Sequence, residues 1–237
     1  MYGYAPNALA LPLALTAATV IAVGLAIALR ERSRVGWLHF FLACAAGSYQ
    51  AGMAAVVLAQ DPALALHWMR LATFAALLIA PFAYHFGCTV TGQRVAHRRG
   101  LVGVWTATLL LALCHAAGLL FSGLHRYNWG AYAAYSTVGW MFVLLTVGTV
   151  VVTLRMYWSK YRGNRSESLA SQRALRLACG LLLGSLAMVD FLPAVGVNVY
   201  PIGGLALLGA GLINAHTMWC YRLVEITPAY AADQLMD

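Results

Sequence analysis

The sequence predicts an all-α integral membrane protein, a bundle of seven transmembrane helices with the N-terminus outside and the C-terminus inside. Three observations carry this. Of 237 residues, 62% are hydrophobic and only 9% are charged, and the mean hydropathy is +0.75. Soluble domains run at about 45–50% apolar and about 25% charged. The apolar residues also fall into seven segments, each near the ~20 residues that span a bilayer as a helix. Finally, the basic residues alternate between the two sets of connections.

The segments follow in order. Ala8–Leu29 stops at Arg30-Glu31-Arg32-Ser33-Arg34, and Val35–Ala59 stops at Asp61-Pro62. Leu64–Thr89 ends before the basic stretch Arg94–Arg99. Leu101–Phe121 is followed by a loop, Ser122–Ala134. Tyr135–Tyr157 stops at Lys160–Arg165, Arg173–Leu192 at Pro193, and Tyr200–Trp219 at Arg222. Seven spans consume roughly 150 residues, which leaves no room for an ATP-binding or other sizeable extramembrane domain. The first segment has no positive residue before it and several after it, unlike a signal peptide.

With Met1 outside, all but two of the 15 Lys and Arg fall on the inner side. Only Arg70 and Arg126 fall outside. The net charge of +8 therefore reads as topology and contact with anionic headgroups, not as a nucleic-acid footprint. Trp37, Trp68, Trp129, Trp158 and Trp219 stand where interface anchors belong.

Several chemistries are disfavoured. Cys44, Cys88, Cys114, Cys179 and Cys220 lie in apolar runs with no CxxC pair, which argues against a disulfide framework and a zinc site. His39, His85, His115 and His216 lie within spans, but no HxxH or HxxxH spacing occurs, and no cofactor is expected. The only lysine, Lys160, is in an inner loop, so a retinal-type Schiff base is excluded. No P-loop, HExxH or Ser-His-Asp spacing marks an active site.

Polar groups inside a membrane are expensive and need a reason. Arg70 in the third segment and Asp190 in the sixth are expected at similar depth near the outer face. A buried pair between them would either fix the packing of the bundle or meet a ligand from outside. Tyr49, Gln50, His67, Asn198 and Tyr200 fall near the same face, and Tyr127, Asn128, Trp129 and Tyr132 could cover its mouth. Convergent polar groups under an aromatic rim suit a small-molecule site. Gly180-Leu-Leu-Leu-Gly184 is a GxxxG that permits close helix contact or dimerisation.

The last third is the most informative stretch. Ser171-Gln-Arg-Ala-Leu-Arg176 leads into the sixth segment. Val189-Asp-Phe-Leu-Pro193 and Gly196-Val-Asn-Val-Tyr-Pro-Ile-Gly203 form the outer turn, and Tyr221-Arg-Leu-Val-Glu-Ile-Thr-Pro228 follows the seventh. This resembles the seven-helix N-terminal sensor region of membrane histidine kinases, specifically from Ser171 to Pro228 and loosely before Leu64. Pro81-Phe82-Ala83-Tyr84-His85-Phe86 looks like the same family's third helix. Asp190, Pro193, Tyr200 and Pro201 match its pattern.

The resemblance implies a non-catalytic sensor domain over 1–228 in a bacterial cytoplasmic membrane. Residues 229–237 would begin a cytoplasmic linker to an output domain absent from this chain. It implies that Pro193, Gly196, Pro201 and Gly203 shape the turn, and that Tyr221, Arg222 and Pro228 form the signal exit. Expected partners are the lipid bilayer, a small-molecule or lipid ligand, and a second copy through helix six or seven. No nucleic acid is expected. The rival reading is an accessory or structural subunit of a larger membrane complex. A transporter is disfavoured by the sparse polar groups and the lack of matching halves.

Overall fold

A computed structural model describes residues 3–163 and 169–220. Its helices are α1 Ala10–Glu31, α2 Arg34–Leu58, α3 Pro62–Val90, α4 Arg98–Ala116, α5 Thr137–Gly163, α6 Leu169–Ser185 and α7 Gly203–Cys220. A 3₁₀ segment, Leu186–Val195, continues α6. Taking α6 with this segment, six helices are long and apolar enough to cross a membrane. The 18-residue α7 carries glycines at 203, 204, 209 and 211 and completes the bundle.

Local chemistry fixes the early boundaries. Arg32 takes the left-handed conformation and closes α1 by donating its N–H to the Ala28 carbonyl. Ser33 then caps α2, its hydroxyl accepting from the Gly36 N–H at 3.1 Å. Asp61 caps α3 through the Ala63 N–H at 3.0 Å, with Pro62 at the first helical position. These three helices start and stop within two residues of the predicted bounds.

Two expectations are corrected. The Ser122–Ala134 segment is not a plain loop. Phe121–Tyr127 (β1) and Gly130–Tyr135 (β2) form an antiparallel hairpin closed by the two residues Asn128 and Trp129. The fourth helix accordingly stops at Ala116 rather than Phe121.

The helices α1, α2, α3, α5, α6 and α7 form a closed ring, each packing on the next and α7 returning to α1. The helix α4 stands outside it against α3 and α5, with only Leu101, Thr108, Leu111 and His115 buried. Small residues let α1, α2 and α3 approach closely. A Cβ added at Gly52 would lie 2.7 Å from the Ala72 Cβ, and one at Gly24 would lie 2.5 Å from the Ala43 Cβ. In lipid such van der Waals contact replaces hydrophobic drive. Outward-facing leucines such as Leu15, Leu109, Leu144 and Leu205 are exposed, as lipid contact requires.

The ring has two unlike ends. At the basic end the α1–α2, α3–α4 and α5–α6 connections carry the arginines. There the Arg173 guanidinium donates to the Val90 carbonyl at 2.8 Å, tying α6 to the last turn of α3. Arg30 lies 3.3 Å from the Trp219 ring centroid and joins α1 to α7. The opposite end is closed by the hairpin.

Candidate functional site

Asp190 organises the hairpin end. It lies in the 3₁₀ segment and is only 2% exposed. One carboxylate oxygen accepts the backbone N–H of Gly203, the first residue of α7, at 2.8 Å. The other accepts the Tyr49 hydroxyl of α2 at 3.5 Å. A helix N-terminus presents unpaired N–H groups and partial positive charge, which suits a carboxylate. Asp190 thus caps α7 from the end of α6 and reaches α2 as well.

Glycine makes this contact possible. A Cβ at Gly203 would fall 2.5 Å from an Asp190 carboxylate oxygen and 2.8 Å from the Ala187 Cα. Gly196 adopts φ +87° and turns the chain out of the 3₁₀ segment, its N–H going to Leu192 and Pro193 carbonyls. The GxxxG glycines serve contact within the chain. A Cβ at Gly180 would meet the Asn214 side-chain oxygen at 2.8 Å, and one at Gly184 the Ala210 Cβ at 3.1 Å. Both sit between α6 and α7.

The hairpin covers the corner. Tyr127 donates to the Pro193 carbonyl at 2.5 Å, and the Trp129 indole N–H donates to the Asn198 side chain at 3.1 Å. Tyr200 donates to the Leu9 carbonyl. Trp129 and Tyr132 are 3% and 1% exposed, so they plug this end rather than rim an open mouth. Burial raises the Tyr132 hydroxyl well above its ordinary pKa. It raises Tyr135 to about 12, so both remain neutral donors at physiological pH.

Beneath the plug lies a cavity of about 160 Å³ in the centre of the ring. Asp190, Tyr49, Phe142 and Phe191 line it towards the hairpin, and His39, Phe86 and Tyr157 line it towards the basic end. Helices α1, α2, α3, α5, α6 and α7 all contribute, and α4 does not.

The expected polar cluster is brought together only in part. Asp190 and Tyr49 meet. Arg70 does not pair with Asp190: it is exposed, and its carbonyl is bonded by the His115 ring at 2.9 Å. The buried face of α3 runs through Ala65, Met69, Ala72, Thr73 and Ala76, and Arg70 is out of phase with it. His67 is exposed beside Trp68. Gln50 is buried without a hydrogen-bond partner among the described residues, but it faces Gly204 and the cavity wall excludes it. Asn198 and Tyr200 serve the plug. Tyr221, Arg222 and Pro228 lie outside the described residues.

Sequence reasoning did not single out His39 as a site residue or Arg173 as an inter-helix tie. His39 has no motif and Arg173 falls in the Ser171–Arg176 stretch that carries the resemblance, but only the ring geometry gives them these places.

Comparison with curated proteins finds no match. A family model for the N-terminal 7TM region of histidine kinases matches residues 13–228. That span takes in every described helix from the first turn of α1 onward, together with the hairpin, the corner and the cavity. The chain therefore belongs to the family of N-terminal seven-transmembrane regions of histidine kinases.

Proposed function

We propose that this chain is the input module of a two-component histidine kinase, sensing an extracytoplasmic or intramembrane signal and relaying it through α7. The observation that supports this most is the placement of Asp190. One buried carboxylate fastens the start of α7 to the end of α6 and to α2. The other end of α7 leads towards Tyr221, Arg222 and Pro228, the proposed signal exit. A signal that alters the corner is passed on as a shift of α7. Only a signal with different affinity for two packings of this corner can drive the shift.

The proposed setting is a bacterial cytoplasmic membrane with the hairpin end outside, which the positive-inside rule favours. Residues 229–237 lead into a linker, and a second copy docks through the lipid-facing sides of α6 or α7. Kinase chemistry belongs to an output domain.

The test is a fusion of this chain to a histidine kinase core in membranes. Asp190→Asn keeps an acceptor for Gly203 and removes the charge, while Asp190→Leu removes both. The expected result is altered autophosphorylation in both, larger for leucine, with the protein still folded and inserted. Unchanged output from two folded variants contradicts the relay.

A further inference from the structure

The relay uses only the Asp190 end of the central cavity. At the far end stands His39, ten residues before Tyr49 on α2 and therefore about 15 Å away along the helix. His39 is 2% exposed, and neither ring nitrogen has a hydrogen-bond partner among the described residues. Burying a donor and an acceptor unpaired is costly, above all where no water can reach them. The ring packs against Phe86 with centroids 5.7 Å apart, and both line the cavity.

Water is a poor occupant. The walls are mostly alanine, leucine and aromatic rings. The Thr149 and Thr153 hydroxyls already donate to the Leu145 and Thr149 carbonyls, each at 2.7 Å. A buried water needs two to four polar partners, and besides His39 this end offers chiefly the Tyr157 hydroxyl and the lone pairs of these threonines.

We infer that this cavity is a binding site for a small, neutral, one-ring molecule bearing a single hydroxyl or carbonyl group, which bonds His39. The size follows from the volume of about 160 Å³, since a cavity near 150 Å³ holds benzene. The aromatic walls at this end, Phe86 and Tyr157, favour a planar ring. Neutrality follows from the cost of carrying a charge to this depth. Trp129 and Tyr132 close the hairpin end, so the ligand arrives through the bilayer. Once bound, it touches α2 and α3 on one side and α6 and α7 on the other. That this ligand is the signal rests on the sensor reading above. That the cavity binds it rests on geometry alone.

The test uses the 237-residue chain in lipid nanodiscs, titrated by calorimetry with para-cresol and with toluene. The two are alike in size, and toluene lacks the hydroxyl. Empty nanodiscs correct for partitioning. Para-cresol is expected to saturate one site about tenfold more tightly than toluene, the worth of one buried hydrogen bond. His39→Leu should bring para-cresol to the toluene level and leave toluene binding intact. Gly211 borders the cavity, and a Cβ there meets no atom within 4 Å. Gly211→Leu should therefore fill the space and abolish both. Non-saturable para-cresol, or equal affinity for the two compounds, overturns the site on the wild-type chain alone. A para-cresol preference that survives His39→Leu overturns the role of His39. If para-cresol saturates its site and leaves kinase output of the fusion unchanged, the cavity ligand is not the signal and the binding site stands.

Discussion

The two halves of the ring are held together in different ways. The helices α1, α2 and α3 are joined by close approach of small residues over many turns, with Gly24, Gly47 and Gly52 each meeting a neighbouring helix. The corner between α6 and α7 adds polar ties to its small-residue packing: Asp190 on Gly203, Tyr127 on Pro193 and Trp129 on Asn198, around an irregular ten-residue 3₁₀ segment. Distributed packing has one good arrangement, and removing any single contact leaves the rest in register. On the proposed relay, this corner has a second arrangement within reach, with the Asp190 contact released. On the proposed relay, the first half is the frame and the second the moving part.

Substitutions can break or sharpen this contrast. The largest effect is expected from Gly203→Ala, whose Cβ meets Asp190 and the Ala187 backbone. It should cost about 3 kcal/mol, near the upper range of overpacking, and change kinase output in the fusion. Gly52→Ala meets Ala72 slightly less closely, at 2.7 Å, so it should lower thermal stability by somewhat less, without changing output per folded molecule. Equal output changes from both would erase the distinction.

Asp190→Leu comes next. It leaves the Gly203 N–H buried without its acceptor, a loss of about 2 kcal/mol, while Asp190→Asn should lose about half of that. Thermal unfolding in nanodiscs measures both. Tyr127→Phe removes the bond to the Pro193 carbonyl and should cost about 1 kcal/mol. Its signature is faster amide exchange confined to the hairpin and 3₁₀ segment. Arg70→Gln, on an exposed residue, should stay within about 0.5 kcal/mol of wild type.

A further effect is alkaline. Burial raises Tyr135 to about 12 in the folded chain, against 10 for the free side chain. Above pH 10 the unfolded chain releases this proton while the folded chain keeps it. Stability should therefore be full below pH 10 and fall between pH 10 and 12. Tyr135→Phe should remove only its own share of that fall, since Tyr132 is raised as well, with tyrosine absorbance as the monitor.

The sequence announces the spans because hydropathy and charge alternation are properties of composition. Asp190 was legible for the same reason: a carboxylate in an apolar run demands a partner. Which partner was not legible from depth alone. Arg70 lies at the expected level but about 100° around α3 from Met69, off the buried face. The alanine stripe at 65, 72 and 76 carried that phase and would have excluded the pair. The hairpin escaped because β1 contains Ser122 and Gly123 at an irregular register and alternates poorly. The turn at Asn128-Trp-Gly130 between tyrosine-rich flanks was the available signal. His39 was legible only as one of four histidines within spans, because an unpaired ring is a fact about six converging helices.

The most direct measurement is the distance between spin labels at Cys220, the end of α7, and at position 158 on exposed α5, in wild type and in Asp190→Leu. The other cysteines are replaced, and a matched pair across α2 and α3 serves as control. If the corner is the moving part, the α5–α7 distance shifts by about 1–2 Å or splits into two populations, and the control pair stays fixed. Identical α5–α7 distributions in the two proteins would contradict it, and so would an equal shift across α2 and α3.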